Sequence, residues 1–331
     1  MKLFIYNPYT NNTVTDDYID TIDKAFVAAG YETEKISTLE KRPKGNDDRV
    51  LVVAVKDATR AKRNGYSKVY LWVQGIIPEE SYMRNHSRLR TFVFSVIEKK
   101  GIKDADFVFL VSHAMHEHFR TKYKVDLKNY YVMPCFNAHI SDERFAYAGK
   151  YDSNTFLYAG GLDAWQCFEE TVALYKRIEN VVADSTLRVL TKNKDAALEM
   201  INKYGVERYS IDFRPVDKMP EELEAAKFGF SLRKSHPVNH VSTPTKLSSY
   251  ISCGVIPIYS RFVSDFASIA KDMKYAVASD EDNDYGFEKI LGLCAGNIDS
   301  SDVLAEYCER FGNYYSKDYH IKQISEIAKK G

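Results

Sequence analysis

No apolar run in the 331-residue sequence approaches the roughly 20 residues that a membrane-spanning helix requires. The longest runs, such as VLVVAV at 50–55, suit buried strands instead. The sequence also lacks low-complexity tracts and any internal repeat, which excludes a fibrous protein and a solenoid. At the N-terminus, MKLFIYNPYT passes directly from the first Met into a strand-like run, so we expect no signal peptide and a cytoplasmic location.

Cysteine is scarce, with five residues at positions 135, 167, 253, 294 and 308 and no Cys-x-x-Cys pair. Their odd number and wide spacing predict reduced thiols of a cytosolic protein and argue against structural zinc. The segment HAMHEH places His113 and His116 three residues apart on a predicted helix, with His118 nearby. No carboxylate or thiolate completes a convincing ligand set, so we expect no metal ion.

The sequence has no net charge, with 46 basic and 46 acidic residues, but the charge is unevenly distributed. Residues 1–150 contain 24 Lys and Arg against 19 Asp and Glu, and residues 41–128 contain 19 against 10. A basic half suits an anionic membrane surface, a phosphate-bearing substrate or nucleic acid, although a solvated lysine-rich surface explains it equally well. No helix-turn-helix, zinc or RNA-binding motif accompanies the basic residues, so we expect no nucleic-acid partner.

Short apolar runs alternate with amphipathic segments along the whole sequence. The predicted strands are 2–7, 49–55, 68–74, 106–112, 130–134, 155–161, 186–191, 209–215, 228–233 and 255–260. The predicted helices are 16–29, about 86–100 with Gly101 as its end, 113–123, 164–180, 194–204, 219–226, 244–253 and 314–330. This alternation predicts an α/β fold of two tandem Rossmann-like, doubly wound domains that face each other across a cleft, where ligands bind.

The predicted domains are residues 1–145 and 146–313, followed by a helical segment at 314–331. Residues 137–154 have no clean period and are interpreted as the linker between the domains.

One unusual feature lies in the stretch HVSTPTKLSSYISCGVIPIYS. Thr243, Pro244 and Gly254 predict a helix with a cap, a first residue and a stop signal. Lys246 falls in its first turn, where the helix dipole disfavours a cation. An anion bound by the free N–H groups, by Lys246 and by Arg233 at the end of the preceding strand would explain this placement. Alternatively, Lys246 faces solvent and Arg233 pairs with a carboxylate.

The segment YAGGLDAWQ carries a strand through Gly160 and Gly161 into a predicted helix. Paired glycines let the backbone approach a bulky anionic ligand closely.

Several of these segments resemble GT-B glycosyltransferases of the family-four type, which are retaining nucleotide-sugar enzymes of bacterial capsule, O-antigen and cell-wall pathways. The segments that carry the resemblance are FLYAGGL (156–162), FGFSLR (228–233) and PTKLSSYISCGVIPI (244–258), with weaker similarity in WVQGIIPE (72–79), ADFVFLVSHAMHEHF (105–119) and YYVMPCFN (130–137).

The resemblance implies a nucleotide-sugar donor site in the C-terminal domain. Arg233 and Lys246 would neutralise the leaving diphosphate as the catalytic residues. The other residues expected at the donor site are Gly160, Gly161, Asn239, Ser242, Thr243, Thr245 and Ser249. No cofactor is expected.

For the N-terminal domain, the resemblance implies an acceptor site with Gln74, Gly75, His86 and Arg88. The acceptor would be a glycan or a lipid-linked diphosphate, reached by peripheral contact of the basic domain with the inner membrane face. In such enzymes the last helix crosses back to the N-terminal domain, which we expect of 314–331.

The sequence departs from the family pattern at the usual Glu-x7-Glu pair, where Val241 and Ser249 stand. Asn11 and Asn12 also occupy a turn in which relatives often have glycines. Two alternatives follow: a catalytically inactive protein of the same fold that binds a glycan or a partner enzyme, and a sugar-nucleotide epimerase.

Overall fold

The computed structural model describes residues 1–8, 13–43, 45–145, 147, 149–215, 218–280 and 284–330, so that Asn11 and Asn12 lie outside the described part. The chain divides into two compact units. The first consists of Met1–Cys135, His240–Thr243 and Ser316–Gly331, and the second of Phe136–Asn239 and Pro244–Tyr315. In the described part of the chain, no helix combines the length and the apolar character needed to cross a membrane.

The first unit is built on a six-stranded sheet in the order β2-β1-β3-β4-β5-β6, in which all pairs are parallel. Its strands are Lys2–Tyr6 (β1), Glu32–Ile36 (β2), Arg49–Val52 (β3), Lys68–Val73 (β4), Phe107–Leu110 (β5) and Tyr130–Val132 (β6). The five strands predicted here are confirmed. The edge strand β2 was not predicted, because its sequence ETEKI is polar and none of its residues is buried.

Six helices of the described part of the chain belong to this unit. They are Thr13–Ala28 (α1), Val55–Arg63 (α2), Ile77–Asn85 (α3), Arg88–Asp104 (α4), His113–Tyr123 (α5) and the last helix of the chain, Lys317–Lys330 (α15). α15 packs against α1. Lys317 Nζ lies 3.1 Å from Asp17 Oδ1, and the Tyr31 hydroxyl donates to the Ala328 carbonyl at 3.2 Å. These contacts hold the end of the chain within the first unit.

The second unit has a six-stranded parallel sheet in the order β12-β11-β10-β7-β8-β9. Its strands are Asn154–Ala159 (β7), Ser185–Leu190 (β8), Tyr209–Asp212 (β9), Phe228–Ser231 (β10), Ile256–Tyr259 (β11) and Val277–Ala278 (β12). In the centre of the sheet, Phe156 stacks on Phe228 with ring centroids 4.6 Å apart. The five predicted strands are confirmed, and β12 is too short to have produced a sequence signal.

Helices cover this sheet as well. They are Asp142–Phe145 (α6), Phe168–Glu179 (α7), Lys194–Tyr204 (α8), Met219–Glu224 (α9), Pro237–Val241 (α10), Thr245–Ser252 (α11), Ser264–Ile269 (α12), Asp284–Ala295 (α13) and Ser300–Phe311 (α14). Two parallel sheets flanked by helices confirm the prediction of two tandem Rossmann-like domains. The segment 137–154, interpreted as a linker, lies in the second unit and contains α6; its residues 146 and 148 are outside the described part.

The sequence predicted that the helix at about 86–100 ends at Gly101. This prediction was wrong, because Gly101 lies inside α4, which continues to Asp104. A Cβ atom added there would overlap the Val55 carbonyl oxygen and come within 2.7 Å of the Val55 carbonyl carbon. Gly101 therefore allows the backbones of α4 and α2 to approach more closely than any side chain would permit.

A buried carboxyl group fixes the rotation of α4. Glu98 is 0% exposed, and its two carboxyl oxygens accept hydrogen bonds from the Ile77 N–H at 3.1 Å and the Tyr123 hydroxyl at 2.7 Å. Lys122 Nζ lies 3.8 Å from Glu98 and 2.7 Å from Glu79. The network joins α3, α4 and α5, and turns a polar residue of α4 toward the interior.

This network makes stability depend on pH. Burial raises the pKa of Glu98 to about 7 from its ordinary 4.5, even though the hydrogen bond from Tyr123 opposes the shift. Between these values the folded protein retains a proton that the unfolded chain releases, so the free energy of unfolding falls as pH rises. We expect a loss of about 2–3 kcal/mol over this range from this group.

The test is denaturant unfolding of wild type and Glu98→Gln across the same pH range. The Gln side chain can accept from Ile77 and donate to the Tyr123 hydroxyl, so both hydrogen bonds persist without a titrating carboxyl. Glu79, Lys122 and His118, which face Glu98, are the same in both proteins. Equal pH slopes for the two proteins would contradict the assignment.

Candidate functional site

In the second unit, a glycine in β10 seats α11 against the sheet. A Cβ atom at Gly229 would come within 2.7 Å of the Tyr250 ring. The Tyr250 hydroxyl donates to the Phe230 carbonyl at 3.1 Å. Gly229 and Tyr250 therefore fix the position of α11 on the strand.

The first turn of α11 carries no side-chain cap. Pro244 occupies the N-cap position with φ −64° and ψ 121°. The prediction that Thr243 caps the helix was wrong, because the helix begins one residue later and the Thr243 hydroxyl accepts a hydrogen bond from Cys135 N at 3.0 Å within the first unit. The predicted end is confirmed: Gly254 follows the last turn with φ +70°. The uncapped start of α11 carries the positive end of the helix dipole, which favours a bound anion.

Lys246 lies in this first turn and is directed into the protein. Its Nζ atom is buried and has no hydrogen-bond partner among the described residues. The ammonium group lies 4.3 Å from the centroid of the Tyr158 ring. Burial, and secondly the positive charge of Arg233, lower the pKa of Lys246 well below its ordinary range. The alternative of a solvent-facing Lys246 is therefore wrong.

Arg233 follows β10 and is also buried, at 7% exposure. Its Nη1 donates to the Leu232 carbonyl at 2.8 Å, and its backbone N–H donates to Ser260 Oγ at 3.0 Å. Burial lowers the pKa of its guanidinium. No carboxylate within the described ranges pairs with it, so the alternative of an Arg233 ion pair is wrong as well.

Arg233 lines a cavity of about 200 Å³ within the second unit. Glu170, Ser260, Asp280 and Phe287 are among the other lining residues. Asp280 accepts from Arg261 Nη1 at 2.8 Å, so its charge is already balanced. The charge of Arg233 is not balanced in this way.

Lys246 and Arg233 are both buried near the start of α11 without a described counter-ion, and the charge of Arg233 disfavours the protonated form of Lys246. Burying an unpaired charge costs several kcal/mol, and a like charge nearby adds to that cost. An anion with several oxygen atoms would relieve both cations and satisfy the helix N–H groups. Phosphate and diphosphate groups have this chemistry.

Gly160 and Gly161 follow β7 next to Lys246. Gly160 has φ +145°, a conformation that side chains rarely adopt, and a Cβ atom there would lie 3.4 Å from Lys246 Nζ. A Cβ atom at Gly161 would lie 3.2 Å from Asp163 Oδ2. The glycine pair thus leaves the backbone accessible beside the buried ammonium group.

The remaining donor-site residues of the sequence prediction are divided between the two units. Asn239, Thr245 and Ser249 lie in the second unit, whereas Ser242 and Thr243 lie in the first. Asn239 is buried and donates through Nδ2 to the Lys234 carbonyl at 2.9 Å.

The two positions of the missing glutamates have structural partners. Ser249 Oγ and Ser248 Oγ each lie 2.9 Å from Asn137 Oδ1. Val241 is buried in the first unit, where its carbonyl accepts from the Ser112 hydroxyl at 2.7 Å. Ser249 therefore holds Asn137 in the structure.

The predicted acceptor residues fall in two places of the first unit. Gln74 and Gly75 line a pocket of about 460 Å³ at the carboxyl ends of β3 and β4. A Cβ atom at Gly75 would overlap Glu80 Oε1, so the glycine makes room for this carboxyl group. His86 and Arg88 are exposed at the connection between α3 and α4 and do not line the pocket.

The histidines of HAMHEH do not converge. His116 Nε2 lies 3.3 Å from the Leu127 carbonyl, and its ring stacks on Tyr130. His118 pairs with Glu79 at 3.5 Å. Within the described ranges, no group of three or more His, Cys, Asp or Glu side chains could hold a metal ion.

Sequence reasoning missed Tyr158 beneath Lys246 and Glu80 in the first-unit pocket. Both stand close to glycines that were singled out, since Tyr158 precedes Gly160 by two residues and Glu80 follows Gly75 by five. Burial raises the pKa of Glu80, which is partly opposed by Arg84.

The chain resembles several solved glycosyltransferase structures. Sucrose-phosphate synthase from Thermosynechococcus elongatus has 11% identity and a TM-score of 0.70 over 99% of this chain and 98% of that one. The lipopolysaccharide outer core galactosyltransferase WaaB has 12% identity and a TM-score of 0.68 over 99% of this chain and 100% of its own. Anabaena Alr3699/HepE, solved with UDP and glucose, has 11% identity and a TM-score of 0.65 over 100% of both chains.

Staphylococcus aureus TarM, solved with UDP, has 11% identity and a TM-score of 0.63, and this chain spans 55% of its length. No protein-family model and no curated protein matches the sequence. At identities this low, the similarities show that the chain has the GT-B fold.

Proposed function

We propose that the protein is a glycosyltransferase that moves a sugar from a nucleoside-diphosphate sugar to a glycan or lipid-linked acceptor in surface-polysaccharide synthesis. The observation that carries this proposal is the buried Lys246 ammonium, which has no described hydrogen-bond partner and lies beside Gly160 at the start of α11. A soluble protein gains nothing in stability from such a charge, so a ligand that neutralises it is the simplest reason for its presence.

In the proposed reaction, the donor diphosphate binds at the second unit. Lys246, Arg233 and the N–H groups of α11 stabilise the negative charge that develops as the bond between the sugar and the diphosphate breaks. Gly160 and Gly161 admit the diphosphate and the sugar. The two side chains supply the positive charge that the leaving group needs, and we propose that no metal ion takes part. TarM and HepE have both been solved with UDP, which makes UDP the first nucleotide to test.

The acceptor is proposed to bind at the first-unit pocket. Gln74 and Glu80 offer an amide and a carboxyl group to sugar hydroxyls, between the apolar side chains of Val53 and Val55. The basic excess of residues 41–128 favours an acceptor that carries a diphosphate at an anionic membrane surface. Transfer with retention of configuration is proposed from the family resemblance.

A second candidate function is that of a non-catalytic binding protein of the same fold. It is favoured by Ser249 and Val241 at the positions of the two glutamates, and by the contact of Ser249 with Asn137. Such a protein would bind a nucleotide or a glycan without turning over the donor.

The test is a thermal-melt series with UDP, GDP, ADP, CMP and dTDP, followed by an assay for hydrolysis of the matching nucleotide sugar. A diphosphate at about 100 times its dissociation constant adds ~2.7 kcal/mol of stability. For a domain of this size, that raises the melting temperature by roughly 5–10 °C. A shift accompanied by sugar release supports the transferase, whereas a shift without turnover of any nucleotide sugar favours the binding protein. No shift with any nucleotide contradicts the transferase, and also a binding protein whose ligand is a nucleotide.

A further inference from the structure

The pocket of the first unit has a single ionisable group among the described residues that line it. This group is the carboxyl of Glu80 in α3, whereas the other lining side chains, such as Thr15, Trp72 and Gln74, are neutral. With a volume of about 460 Å³, the pocket falls in the usual size range of sites for small ligands. Its preference for ligands of one charge therefore depends on Glu80.

The Glu80 carboxyl group occupies the space that a side chain at position 75 would need. A Cβ atom at Gly75 would overlap Glu80 Oε1 and lie 3.2 Å from Glu80 Cδ. Gly75 follows β4, and Glu80 lies in the first turn of α3. The absence of a side chain at Gly75 thus lets the carboxyl group pack against the backbone that follows β4, in the wall of the pocket.

The two adjacent glutamates of α3 differ in their partners. Glu79 lies 2.7 Å from Lys122 Nζ and 3.5 Å from His118 Nε2, and against the effect of burial these two side chains lower its pKa. Glu80 is also partly buried but has no salt bridge among the described residues, and burial raises its pKa against the effect of the exposed Arg84. The start of α3 contributes only about half an elementary charge, so it does not neutralise a carboxylate.

A cationic ligand would supply the charge that Glu80 lacks. A partly buried carboxylate without a counter-ion lowers stability, and a protonated amino group neutralises it through charge-assisted hydrogen bonds. A neutral hydroxyl group can donate a hydrogen bond but brings no charge. Next to Glu80 in the pocket wall, Gln74 Oε1 accepts from Thr15 Oγ1 at 3.3 Å, which orients the amide so that its Nε2 can donate to a hydroxyl group of the ligand.

We propose that the first-unit pocket binds an amino sugar, with the protonated amino group on Glu80 and a ring hydroxyl on Gln74. The apolar side chains of Val53 and Val55 pack against the C–H groups of the sugar ring. The inference rests on the proposed function in one respect, that this pocket is the acceptor site. The acceptor is then a sugar with a free amino group, or a glycan that ends in one.

The test is calorimetric titration of the full chain, without nucleotide, with glucosamine, N-acetylglucosamine and glucose at neutral pH. We expect glucosamine to bind at least about tenfold more tightly than the two neutral sugars, the usual effect of a hydrogen bond to a charged group. Glu80→Gln should remove this preference while leaving glucose binding nearly unchanged, because Gln has the same shape without the charge. Gly75→Ala should also weaken glucosamine binding, because the methyl group displaces the carboxyl group but preserves its charge.

The matched control is Glu117→Gln, which removes an exposed carboxylate from α5 of the same unit and should leave glucosamine binding unchanged. Thermal melts establish that each variant is folded. The proposal would be overturned by undetectable glucosamine binding, by equal affinities for glucosamine and glucose, or by undiminished glucosamine binding in Glu80→Gln. An equal loss in Glu117→Gln would overturn it too, because the attraction would then come from the overall charge of the unit.

The nucleotide-induced rise in melting temperature separates this proposal from the transferase proposal. If the wild type shows the rise and releases sugar from the donor but has no preference for glucosamine, the amino sugar is wrong and the transferase stands. If the preference is present but no nucleotide shifts the melt, the amino-sugar site stands and the transferase is wrong.

Discussion

Replacing Lys246 by methionine is expected to reduce sugar transfer by about 100- to 1,000-fold, the usual effect of removing one group that stabilises developing negative charge. The nucleotide-induced rise in melting temperature should disappear as well. In the absence of ligand, however, the variant should melt at a higher temperature than wild type. Methionine has a similar length and removes a buried ammonium group that has no described hydrogen-bond partner. Assays of donor turnover and melts with and without nucleotide measure all three effects.

Lys227→Met is the matched control for this experiment. Lys227 is a second buried lysine of the same unit, but its Nζ donates to Asn154 Oδ1 at 3.2 Å. It precedes β10, whereas Arg233 follows that strand. We expect Lys227→Met to lower the melting temperature and to retain the nucleotide shift. Full turnover and an intact shift in Lys246→Met would show that its ammonium group does not bind the phosphates.

The second large effect is expected from Gly101→Ala, which should lower the free energy of unfolding by about 3 kcal/mol, at the upper end of the usual cost of overpacking. The new methyl group would overlap the backbone carbonyl of Val55, which no side-chain rotation can relieve. Alanine is preferred over glycine inside a helix by about 1 kcal/mol, so the steric cost outweighs the gain in helix propensity. For a unit of this size the melting temperature should fall by roughly 6–12 °C.

Gly292→Ala provides the opposite case. Gly292 also lies inside a helix, α13, but a Cβ atom there would meet nothing within 4 Å. This substitution should raise stability by up to about 1 kcal/mol through helix propensity alone. If Gly101→Ala instead melted at or above the wild-type temperature, the close approach of α4 and α2 would be wrong, and with it the fixed rotation of α4.

The two experiments address different levels of the molecule. Lys246 tests the proposed donor site, where a destabilising buried charge would be retained because the ligand requires it. Gly101 reports on the scaffold of the first unit, which holds the rotation of α4. If both results are as expected, the proposed function depends on a destabilising buried charge in the second unit. The fold of the first unit then depends on the close backbone packing of α4 and α2.

Sequence alone determined the strands of both sheets that are apolar and buried, since continuous runs such as KVYLWV and FGFS are typical of strands covered on both faces. It also determined the end of α11, because Gly254 adopts the positive φ that side chains disfavour. The anomaly of a cation in the first turn of a helix singled out Lys246. These signals are local, since each depends on residue types within one element.

Only the tertiary structure decided which of these residues are buried and what they meet. Tyr158 lies under Lys246 although 88 positions separate them, which is 246 − 158. Ser249 contacts Asn137, which is 112 positions away, and Gly101 meets Val55, which also lies in a different helix. The polar sequence of β2 does not predict a strand, but its pairing with β1 makes it one. Several large apolar residues of α4 are exposed, because the burial of Glu98 sets the rotation of this helix. Desolvation and close backbone approach arise when distant segments pack, so no local period in the sequence encodes them.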